Sequence, residues 1–353
     1  MTDRPLSPEA RLRDAVRAIE QSRRRIAVVV DEGGVLLGTL TDGDVRRCLL
    51  DGGSLETPVT RAMATEPRVV GIGASDSQIL EVMRQGNVMS VPRVDVDGRF
   101  VELIHLWDID PEAARNQHAR GFAAAVIMAG GLGKRLRPVT RGDIPKPMVE
   151  IAGVPLLERL VRRLASAGVQ RVIVAVNYLG HVIEEHLGDG RHLGLSIEYL
   201  RETMPMGTAG ALSLLPSLPE GPLLVMNGDI LTTSDFGGLF DFHEAHRADM
   251  TVAAIEYRVE IPYGVLSTEG SRVTGLTEKP SQRFLCNAGI YSLSPHLLAE
   301  IPNRFYNMTD LLQAQIDNGA RVVLFPIHEF WSDIGTPTDL ERARASFRQL
   351  EQQ

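Results

Sequence analysis

Two different hydrophobic patterns divide the chain. In the first part, apolar residues alternate around short glycine turns in two segments, IAVVVDEGGVLLGTLTDGDV from Ile26 and SVPRVDVDGRFVELIHLWDI from Ser90. Each segment predicts a strand, a turn, a second strand and a helix. A helical pattern precedes each copy, near residues 10–21 and 76–85. The pattern therefore predicts an internal repeat of about sixty residues, with two units packed around a pseudo-twofold axis.

From residue 123 onward, apolar β-rich runs alternate with helical patterns. The runs are AAAVIMAG, VQRVIVAVN, LLVMNGDIL, MTVAAIEY and RVVLFPI, and LLERLVRRLASAG is typical of the helices. This alternation predicts an α/β domain with a mostly parallel sheet that is buried on both faces. The polar stretch ARNQHARGF, residues 114–122, lacks apolar periodicity and predicts a boundary. We therefore expect one domain over residues 1–118 and a second over residues 122–353, ending in a charged helix from Thr338.

Composition and charge argue against several classes of protein. The net charge of −8 is unlike that of a general nucleic-acid binder, and the run Arg23-Arg24-Arg25 is too short to change this. Cys48 and Cys286 match no disulfide framework or zinc spacing, so a reducing compartment is expected. The first residues are unlike a signal peptide, and no apolar run reaches the ~20 residues of a membrane helix. We therefore expect a cytoplasmic protein with no membrane or nucleic-acid partner.

The segment VIMAGGLGKRLRP, from Val126 to Pro138, follows a buried strand with glycines and then cations. Glycines let backbone N–H groups turn toward an anion, and arginine adds a planar donor fork for phosphate oxygens. The segment is not a Walker A loop, because Arg135 stands where that loop has Ser or Thr. The alternative is an ordinary strand-to-helix turn. IPKPM favours a phosphate loop, because its prolines restrict the backbone around the point charge of Lys146.

Together these motifs resemble the sugar-1-phosphate nucleotidyltransferases. The similarity extends over nearly all of residues 123–347 and includes AGGLGKRLRPVT, PKPMVEIAGVPLLERLV, ETMPMGTAGAL, EKP, CNAGIY and WSDIGTP. It implies a Rossmann-like, GT-A-like fold whose substrates are a nucleoside triphosphate and a sugar 1-phosphate. Lys134 departs from the family, which usually has Thr or Ser at that position. The nucleotide-binding residues that the resemblance implies are Ala129, Gly130, Gly131, Gly133, Lys134, Glu202, Gly207 and Thr208.

The same resemblance implies the catalytic residues. Asp229, at the end of the strand LLVMNGDIL, and Asp333, in WSDIGTP, would hold Mg²⁺ together. Two protein carboxylates suffice, because Mg²⁺ also binds phosphate oxygens and water. Arg135 would stabilise the departing pyrophosphate, and Lys146 would neutralise the α-phosphate region.

The sugar phosphate would be bound by residues from two later motifs. The resemblance implies that Lys279 contacts the phosphate and that Asn287 and Glu278 contact sugar hydroxyls. The alternative is that Lys279 and Glu278 are ordinary charged surface residues with no role in binding. Thr208, implied to lie near the nucleobase, is also suited to cap a helix.

The first part of the chain resembles a pair of CBS domains, which form an α+β unit. The resemblance rests on LLGTLTDGDVRR, the linker VTRAMATEPRVV and VPRVDVDGRFVELIHLWDI. Such pairs often bind adenine or guanine nucleotides, which makes Thr41 and Asp44 candidate ligands for phosphate and ribose. The second copy departs from this pattern, because His105 stands in place of the threonine. The alternative is a pair that only dimerises, and we expect a homo-oligomer.

The resemblances imply Mg²⁺-dependent transfer of a nucleoside monophosphate to a sugar 1-phosphate, with release of pyrophosphate. ETMPMGTAG and the preceding CBS pair are similar to the guanylyl-transferring branch, which implies GMP from GTP. Within that branch, bacterial enzymes with this domain order activate glucosamine 1-phosphate or related sugars for glycan and nonulosonate precursors. One alternative is a uridylyl-, thymidylyl- or cytidylyltransferase, since base choice depends on a few hydrogen bonds. The other is a non-catalytic nucleotide sensor, which would be expected to have lost its charged site residues.

Overall fold

The computed structural model describes residues 4–22, 24–86, 88–110, 121–140 and 142–350. The chain divides into two compact units, Met1–Arg120 and Gly121–Gln353. Arg23 and residues 114–120 of the polar stretch lie outside the described residues.

The first unit is α+β. Its strands are β1 (Ile26–Val30), β2 (Leu36–Thr41), β3 (Val70–Gly71), β4 (Ser90–Val94) and β5 (Phe100–His105). Its helices are α1 (Leu12–Gln21), α2 (Asp42–Leu50), α3 (Asp76–Gly86) and α4 (Leu106–Ile109), with a 3₁₀ turn at Val59–Arg61. α1 buries Leu12, Ala15 and Ile19, the stripe that a period of 3.6 places on one helix face. The helices predicted near residues 10–21 and 76–85 are therefore present as α1 and α3.

The two copies of the repeat have the same pairing, 64 positions apart. β1 and β2 are antiparallel with Ile26 opposite Thr41, and β4 and β5 are antiparallel with Ser90 opposite His105. Both hairpins have a register shift one residue before the end of the first strand. Their turns also correspond, because the aspartate that begins each turn accepts a backbone N–H four residues later. The two turns pair with each other through a bridge between Val35 and Arg99.

The second unit contains a seven-stranded sheet and several short strands. Its strands are β6 (Ala124–Met128), β7 (Glu150–Ile151), β8 (Val154–Pro155), β9 (Arg171–Val176), β10 (Ser196–Arg201), β11 (Leu223–Asn227), β12 (Ile230–Thr232), β13 (Met250–Glu260), β14 (Val265–Glu269), β15 (Arg272–Thr277), β16 (Ser281–Leu293), β17 (Val322–Ile327) and β18 (Trp331–Asp333). The order in the large sheet is β10-β9-β6-β11-β16-β13-β17. Only β16 runs antiparallel to its neighbours, so the predicted mostly parallel sheet is confirmed.

Helices cover both faces of this sheet. They are α5 (Arg137–Thr140), α6 (Leu156–Ser166), α7 (Gly180–Leu187), α8 (Phe236–Ala245), α9 (Pro295–Leu298), α10 (Met308–Asp317) and α11 (Pro337–Leu350), with 3₁₀ turns at Lys134–Leu136, Lys146–Met148, Arg191–Leu193 and Gly210–Leu214. Along β6, Ala125 and Ile127 belong to one hydrophobic cluster, and Ala124 and Val126 belong to another. Burial on both faces explains why the central strands are continuously apolar.

One part of the second unit was not expected from the alternation of strands and helices. The outer half of β13 pairs with the first half of β16, from Ile255 opposite Cys286 to Glu260 opposite Ser281. β14 and β15 form a hairpin between them. We call residues 255–286 the arm. Among the helices that the structure describes, none is both long and apolar enough to cross a lipid bilayer.

Candidate active site

The glycine loop follows β6, as the sequence predicts. Gly133 has a φ of 55°, and a Cβ there would lie 2.9 Å from Lys146 Cβ. A Cβ at Gly130 would lie 2.7 Å from Glu202 Oε1, whereas Gly131 has open space around it. Two of the three glycines are thus required by the approach of a charged residue from another part of the chain.

Lys146, Asp229 and Asp333 come together beside this loop. The antiparallel pairing of β12 with β18 brings Asp333 next to the residue after Asp229. Lys146 Nζ donates a hydrogen bond to Asp229 Oδ2 and lies 3.8 Å from Asp333 Oδ1. The structure therefore assembles three of the four predicted catalytic side chains in one cluster.

The electrostatics of this cluster fit a divalent cation. Burial raises the pKa of Asp333, and the nearby negative charge of Asp229 raises it further, while Lys146 opposes both effects. Asp229 Oδ1 is buried and has no hydrogen-bond partner among the residues that the structure describes. Two adjacent carboxylates with an unused buried oxygen form a hard oxygen donor set, which suits Mg²⁺ better than softer metals.

Arg135 lies on the Asp333 side of the cluster. A Cβ at Gly335 would lie 3.7 Å from Arg135 Nη2 and 3.3 Å from Asp333 Oδ2. Arg135 Nη2 and Asp333 Oδ2 thus both lie within 4 Å of this one point, which places the guanidinium close to the carboxylate. Lys134, which directly precedes Arg135 and departs from the family pattern, is exposed.

A cavity of about 310 Å³, which we call the Glu202 cavity, lies beyond the ends of β9 and β10. It is lined by Val176, Asn177, Leu179, Gly180, His181, Glu184, Arg201 and Glu202. Glu202 Oε2 accepts the backbone N–H of Met206 at 3.0 Å, and burial raises the pKa of Glu202. Asn177 Nδ2 donates to the carbonyl of Glu202 at 3.2 Å, which ties the two strand ends together. The cavity therefore presents a fixed carboxylate beside the glycine loop.

A second cavity of about 310 Å³, the Asn287 cavity, lies between β11 and β16. It is lined by Thr208, Asn227, Asn287, Gly289, Tyr291, Asn307 and Thr309. Asn287 Oδ1 accepts the N–H of Gly289 at 2.9 Å, and Asn287 Nδ2 donates to the Tyr291 hydroxyl at 2.8 Å. These bonds hold the Asn287 amide in one orientation within a lining of uncharged donors and acceptors.

Thr208 has a different structural role from the one that its sequence context suggests. Ala209 occupies the cap position of the following 3₁₀ turn, so the N-cap interpretation of Thr208 is wrong for that turn. Its Oγ1 instead accepts the N–H of Met308, in the first turn of α10. Gly207 beside it has a φ of 75°, and a Cβ there would lie 2.6 Å from the carbonyl oxygen of Tyr306. Thr208 therefore lines the Asn287 cavity, whereas Glu202 lines the other cavity.

Glu278 and Lys279 lie on the exposed arm, and neither lines the two cavities. Lys279 has a φ of 45°, a left-handed conformation that side-chain-bearing residues seldom adopt. The structure thus does not bring these two residues together with Asn287, although all three were predicted to contact the sugar phosphate.

Several lining residues were missed by sequence reasoning. Asn177 directly follows β9, and Asn227 is the last residue of β11. A Cβ at Gly289 would lie 2.6 Å from Asn227 Nδ2. Their position at the carboxyl ends of parallel strands was a usable signal. Tyr291 and Asn307 gave none, because only strand pairing and helix capping bring them to the cavity.

In the first unit, Thr41 and Asp44 bond to each other. Asp44 Oδ2 accepts from the Thr41 backbone N–H at 2.8 Å and from Thr41 Oγ1 at 2.7 Å, which forms a capping box at the start of α2. His105 and Asp108 form the equivalent box at the start of α4. The aligned residues of the two copies thus share a structural role.

Comparison with known proteins shows the family. A family profile described as "Nucleotidyl transferase" matches residues 124–349, and one described as "CBS domain" matches residues 3–51. The chain belongs to the nucleotidyl transferase family and carries a CBS domain near its start. Members of this family generally use a divalent metal.

Curated relatives of the chain include mannose-1-phosphate guanylyltransferases. The chain is 36% identical over 230 residues to a mannose-1-phosphate guanylyltransferase of Mycobacterium tuberculosis, an alignment that covers 63% of each protein. It is 34% identical over 224 residues to the catalytic subunit beta of mannose-1-phosphate guanylyltransferase from Danio rerio, covering 61% of this chain and 62% of the relative. The chain thus spans somewhat less than two thirds of the length of these relatives.

Among solved structures, the crystal structure of HddC from Yersinia pseudotuberculosis is similar, with a TM-score of 0.51 and 30% identity. The alignment covers 64% of this chain and 99% of HddC. A second HddC structure, complexed with GMP-PN, aligns with the same TM-score at 28% identity.

Proposed function

We propose that the protein transfers GMP from GTP to a sugar 1-phosphate and releases pyrophosphate. The observation that carries this proposal is the cluster of Lys146, Asp229 and Asp333 beside the glycine loop, with a cavity on each side. The strand order supports the arrangement, since β9 and β10 end at the Glu202 cavity, β6 at the loop, and β11 at Asp229 and the Asn287 cavity. Base, triphosphate and sugar would therefore lie in that order along the carboxyl edge of the sheet.

The proposed reaction is a direct displacement at the α-phosphorus. A phosphate oxygen of the sugar 1-phosphate forms the new bond to phosphorus, and the bond to the bridging oxygen of pyrophosphate breaks. The attacking phosphate is already ionised, so the step needs no side-chain base. Lys146 would neutralise the α-phosphate and Arg135 the departing pyrophosphate, while Gly130 and Gly133 let the backbone approach the triphosphate.

Asp229 and Asp333 would hold the divalent cation, and we propose that it is Mg²⁺. Their contribution is to offer two adjacent carboxylates at a fixed position, one of them with an unused oxygen. Bound there, the cation supplies Lewis-acid charge neutralisation at phosphate oxygens. Lys146 pairs with both carboxylates and would turn to phosphate oxygens in the substrate complex.

The choice of guanine is supported by Glu202. A carboxylate only accepts hydrogen bonds, and guanine offers two adjacent donors, N1–H and the 2-amino group, on one edge. Uracil and thymine offer one donor on that edge, and adenine and cytosine pair a donor with an acceptor. Because burial makes an unmatched hydrogen bond costly, Glu202 would discriminate against the other bases. The guanylyltransferase relatives are consistent with this assignment.

For the sugar, the relatives suggest mannose 1-phosphate, and the resemblance of the domain order suggests glucosamine 1-phosphate. Asn287 would contact sugar hydroxyls in its cavity, and Lys279 and Glu278 would reach the substrate only if the arm approaches it. The alternative of uridylyl, thymidylyl or cytidylyl transfer has no specific observation in its favour.

The decisive experiment is pyrophosphate release with Mg²⁺, using GTP, UTP, dTTP and CTP against mannose, glucose and glucosamine 1-phosphates. Turnover confined to GTP is the expected result, and the best sugar then names the product. Turnover with another nucleotide alone would reject the assignment of Glu202. No turnover with any pair would favour the sensor alternative.

We further propose two domains, a tandem CBS domain over residues 1–118 and a catalytic domain over residues 122–353. A nucleotide at Thr41 and Asp44 would have to displace part of their capping box, so its binding would perturb the start of α2. Measuring the turnover rate while ATP, AMP or GMP is added tests whether such binding regulates the enzyme, and a flat response would reject that regulation.

The free thiols Cys48 and Cys286 support a cytoplasmic location.

A further inference from the structure

Few contacts hold the segment 137–144, which leads into Lys146. Most of its side chains are exposed, and Thr140 is the only buried one among its described residues. The Asp143 N–H donates to the Thr140 carbonyl at 3.1 Å, which closes a turn inside the segment. A segment with so little buried surface opens locally at a low cost in free energy. Its position therefore depends on the bonds that connect it to the rest of the second unit.

One such bond comes from Tyr178. Its hydroxyl donates a hydrogen bond to the Gly142 carbonyl at 2.9 Å. Among the residues that the structure describes, no other hydrogen bond or ion pair joins segment 137–144 to a distant part of the chain. Gly142 has a φ of 87°, a conformation that glycine adopts readily and other residues seldom adopt. Position 142 is therefore both turned sharply and held by a side chain from elsewhere.

Tyr178 lies at a well-supported point of the fold. It is the second residue after β9, whose last five residues are all buried. The preceding residue, Asn177, lines the Glu202 cavity and donates to the Glu202 carbonyl at 3.2 Å. Two neighbouring residues thus make different connections. Asn177 joins β9 to the base side of the proposed site, and Tyr178 joins β9 to the segment before Lys146.

Lys146 lies between two fixed points. Gly142, which precedes it in the chain, is held by Tyr178, and Pro147 directly after it is buried. Pro145 and Pro147 restrict the backbone on each side of the lysine, so a shift at Gly142 is passed on to it. Misplacement of a reacting group by about 1 Å can cost about 10²-fold in rate. The Tyr178 bond is thus placed where it controls the position of the ammonium group.

We propose that Tyr178 positions Lys146 for its contact with the α-phosphate by holding segment 137–144 against the end of β9. The inference rests on the proposed function, since it assigns this connection a role in nucleotidyl transfer. Tyr178 is not among the residues that line either cavity, so it acts through Lys146 and not by contact with substrate. Because Asn177 and Tyr178 are adjacent, the wall of the base cavity and the catalytic lysine share one support.

Tyr178→Phe tests the role in turnover, because it removes only the hydroxyl. Tyr199→Phe is the matched control, since the Tyr199 hydroxyl likewise donates to a glycine carbonyl, that of Gly188 at 2.7 Å, outside segment 137–144. We expect Tyr178→Phe to lower kcat about 3–10-fold, the equivalent of one net hydrogen bond, with an unchanged KM for GTP. Tyr199→Phe should leave both constants as in the wild type. A wild-type kcat in Tyr178→Phe would overturn the proposal.

A double-mutant cycle with Lys146→Ala shows whether Tyr178 acts through the lysine. When the lysine is already absent, Tyr178→Phe should cause no further loss of kcat, because the group that it positions is gone. A general weakening of the structure would instead lower kcat by the same factor in both backgrounds. Equal factors would therefore reject the positioning role.

Hydrogen exchange followed by mass spectrometry tests the connection without requiring turnover. The amides of residues 142–148 should exchange about 3–10-fold faster in Tyr178→Phe than in the wild type, and at the wild-type rate in Tyr199→Phe. Unchanged exchange in Tyr178→Phe would contradict the proposal. A wild type that turns over no pair of nucleotide and sugar phosphate would reject the proposed function, and the exchange rates would still decide whether Tyr178 holds the segment.

If Tyr178→Phe fails to fold, Gly142→Ala changes the acceptor side of the same bond. Alanine disfavours the φ of 87°, while nothing lies within 4 Å of the Cβ position, so the backbone shifts without a steric clash. The same loss of kcat and the same faster exchange are expected in this variant, and wild-type values for both would equally reject the proposal.

Discussion

Lys146 and Asp229, 83 positions apart in the chain, form a hydrogen-bonded ion pair at the carboxyl edge of the sheet. In the proposed reaction this lysine exchanges a carboxylate for phosphate oxygens. Lys146→Ala should lower turnover by about 10²–10³, the usual cost of losing one preorganised donor to a developing charge. Initial rates of pyrophosphate release measure this.

Arg162→Ala is the control for that variant, because Arg162 is an exposed cation on α6 that pairs with Glu158 and lines neither cavity. We expect its effect to be far smaller. A Lys146→Ala enzyme within a few fold of the wild type would remove Lys146 from the mechanism.

Asp229→Asn should abolish Mg²⁺-dependent turnover. The substitution keeps the shape of the side chain but removes one of the two charges that would hold the cation. Turnover measured across a Mg²⁺ titration, beginning from enzyme treated with EDTA, gives the comparison. Asp143→Asn, an exposed carboxylate near Lys146, should behave as the wild type. An active Asp229→Asn enzyme would contradict the metal assignment.

Glu202→Gln should reduce selectivity for GTP. The amide retains an oxygen for the Met206 N–H but turns the other acceptor into a donor, which faces the donors of guanine. Loss of a hydrogen bond to a charged group costs about 1.5–3 kcal/mol, so kcat/KM for GTP should fall about 10–100-fold.

The ratio of kcat/KM for GTP to that for UTP is the informative quantity for Glu202→Gln, since a general loss of activity leaves it unchanged. Glu198→Gln alters an exposed carboxylate of β10 that pairs with Arg171 outside the cavity. It should preserve the ratio. An unchanged ratio in Glu202→Gln would mean that base selection lies elsewhere.

Gly207→Ala should destabilise the second unit by about 1–3 kcal/mol. A Cβ at this position meets the carbonyl oxygen of Tyr306, and the backbone has a positive φ that alanine disfavours. Gly131→Ala is the matched control, because nothing lies within 4 Å of its Cβ position. Urea denaturation of both variants measures the difference, and equal stabilities would contradict the geometry.

His243 should make the second unit less stable as the pH falls. It is buried, with Nδ1 2.9 Å from Thr251 Oγ1 and Nε2 3.2 Å from Ser294 Oγ, and burial lowers its pKa from 6.5 to about 4. The neutral form is therefore favoured by folding. Its contribution is present above pH 6.5 and is lost as the pH falls from 6.5 toward 4, by about 2 kcal/mol at pH 5.

Urea denaturation at pH 7 and pH 5 checks this, with His243→Gln as the comparison. Other titrating groups contribute equally to both proteins. The wild type should therefore lose about 2 kcal/mol more than the variant between the two pH values. Parallel losses would show that His243 does not set the acid sensitivity.

The pattern of residues along the chain was enough to predict the secondary structure of the core and the local chemistry. Continuously apolar runs predicted the buried strands, because both faces of a parallel sheet are covered. The glycine loop was recognisable because its spacing and charge are local properties of one short segment. The repeat was visible for the same reason, since each copy is a contiguous stretch of similar pattern.

Which distant residues meet depends instead on how the segments pack together. The arm depends on β16 pairing antiparallel with β13, a choice that register and long-range contacts make and local pattern does not. The pairing of Lys146 with Asp229 likewise depends on the parallel pairing of β6 with β11, which brings the segments after these strands together. Thr208 shows the limit most plainly, since its hydroxyl bonds the backbone of a helix that begins 100 positions later. Local sequence fixes what a segment can do, and only the packing of segments selects its partner.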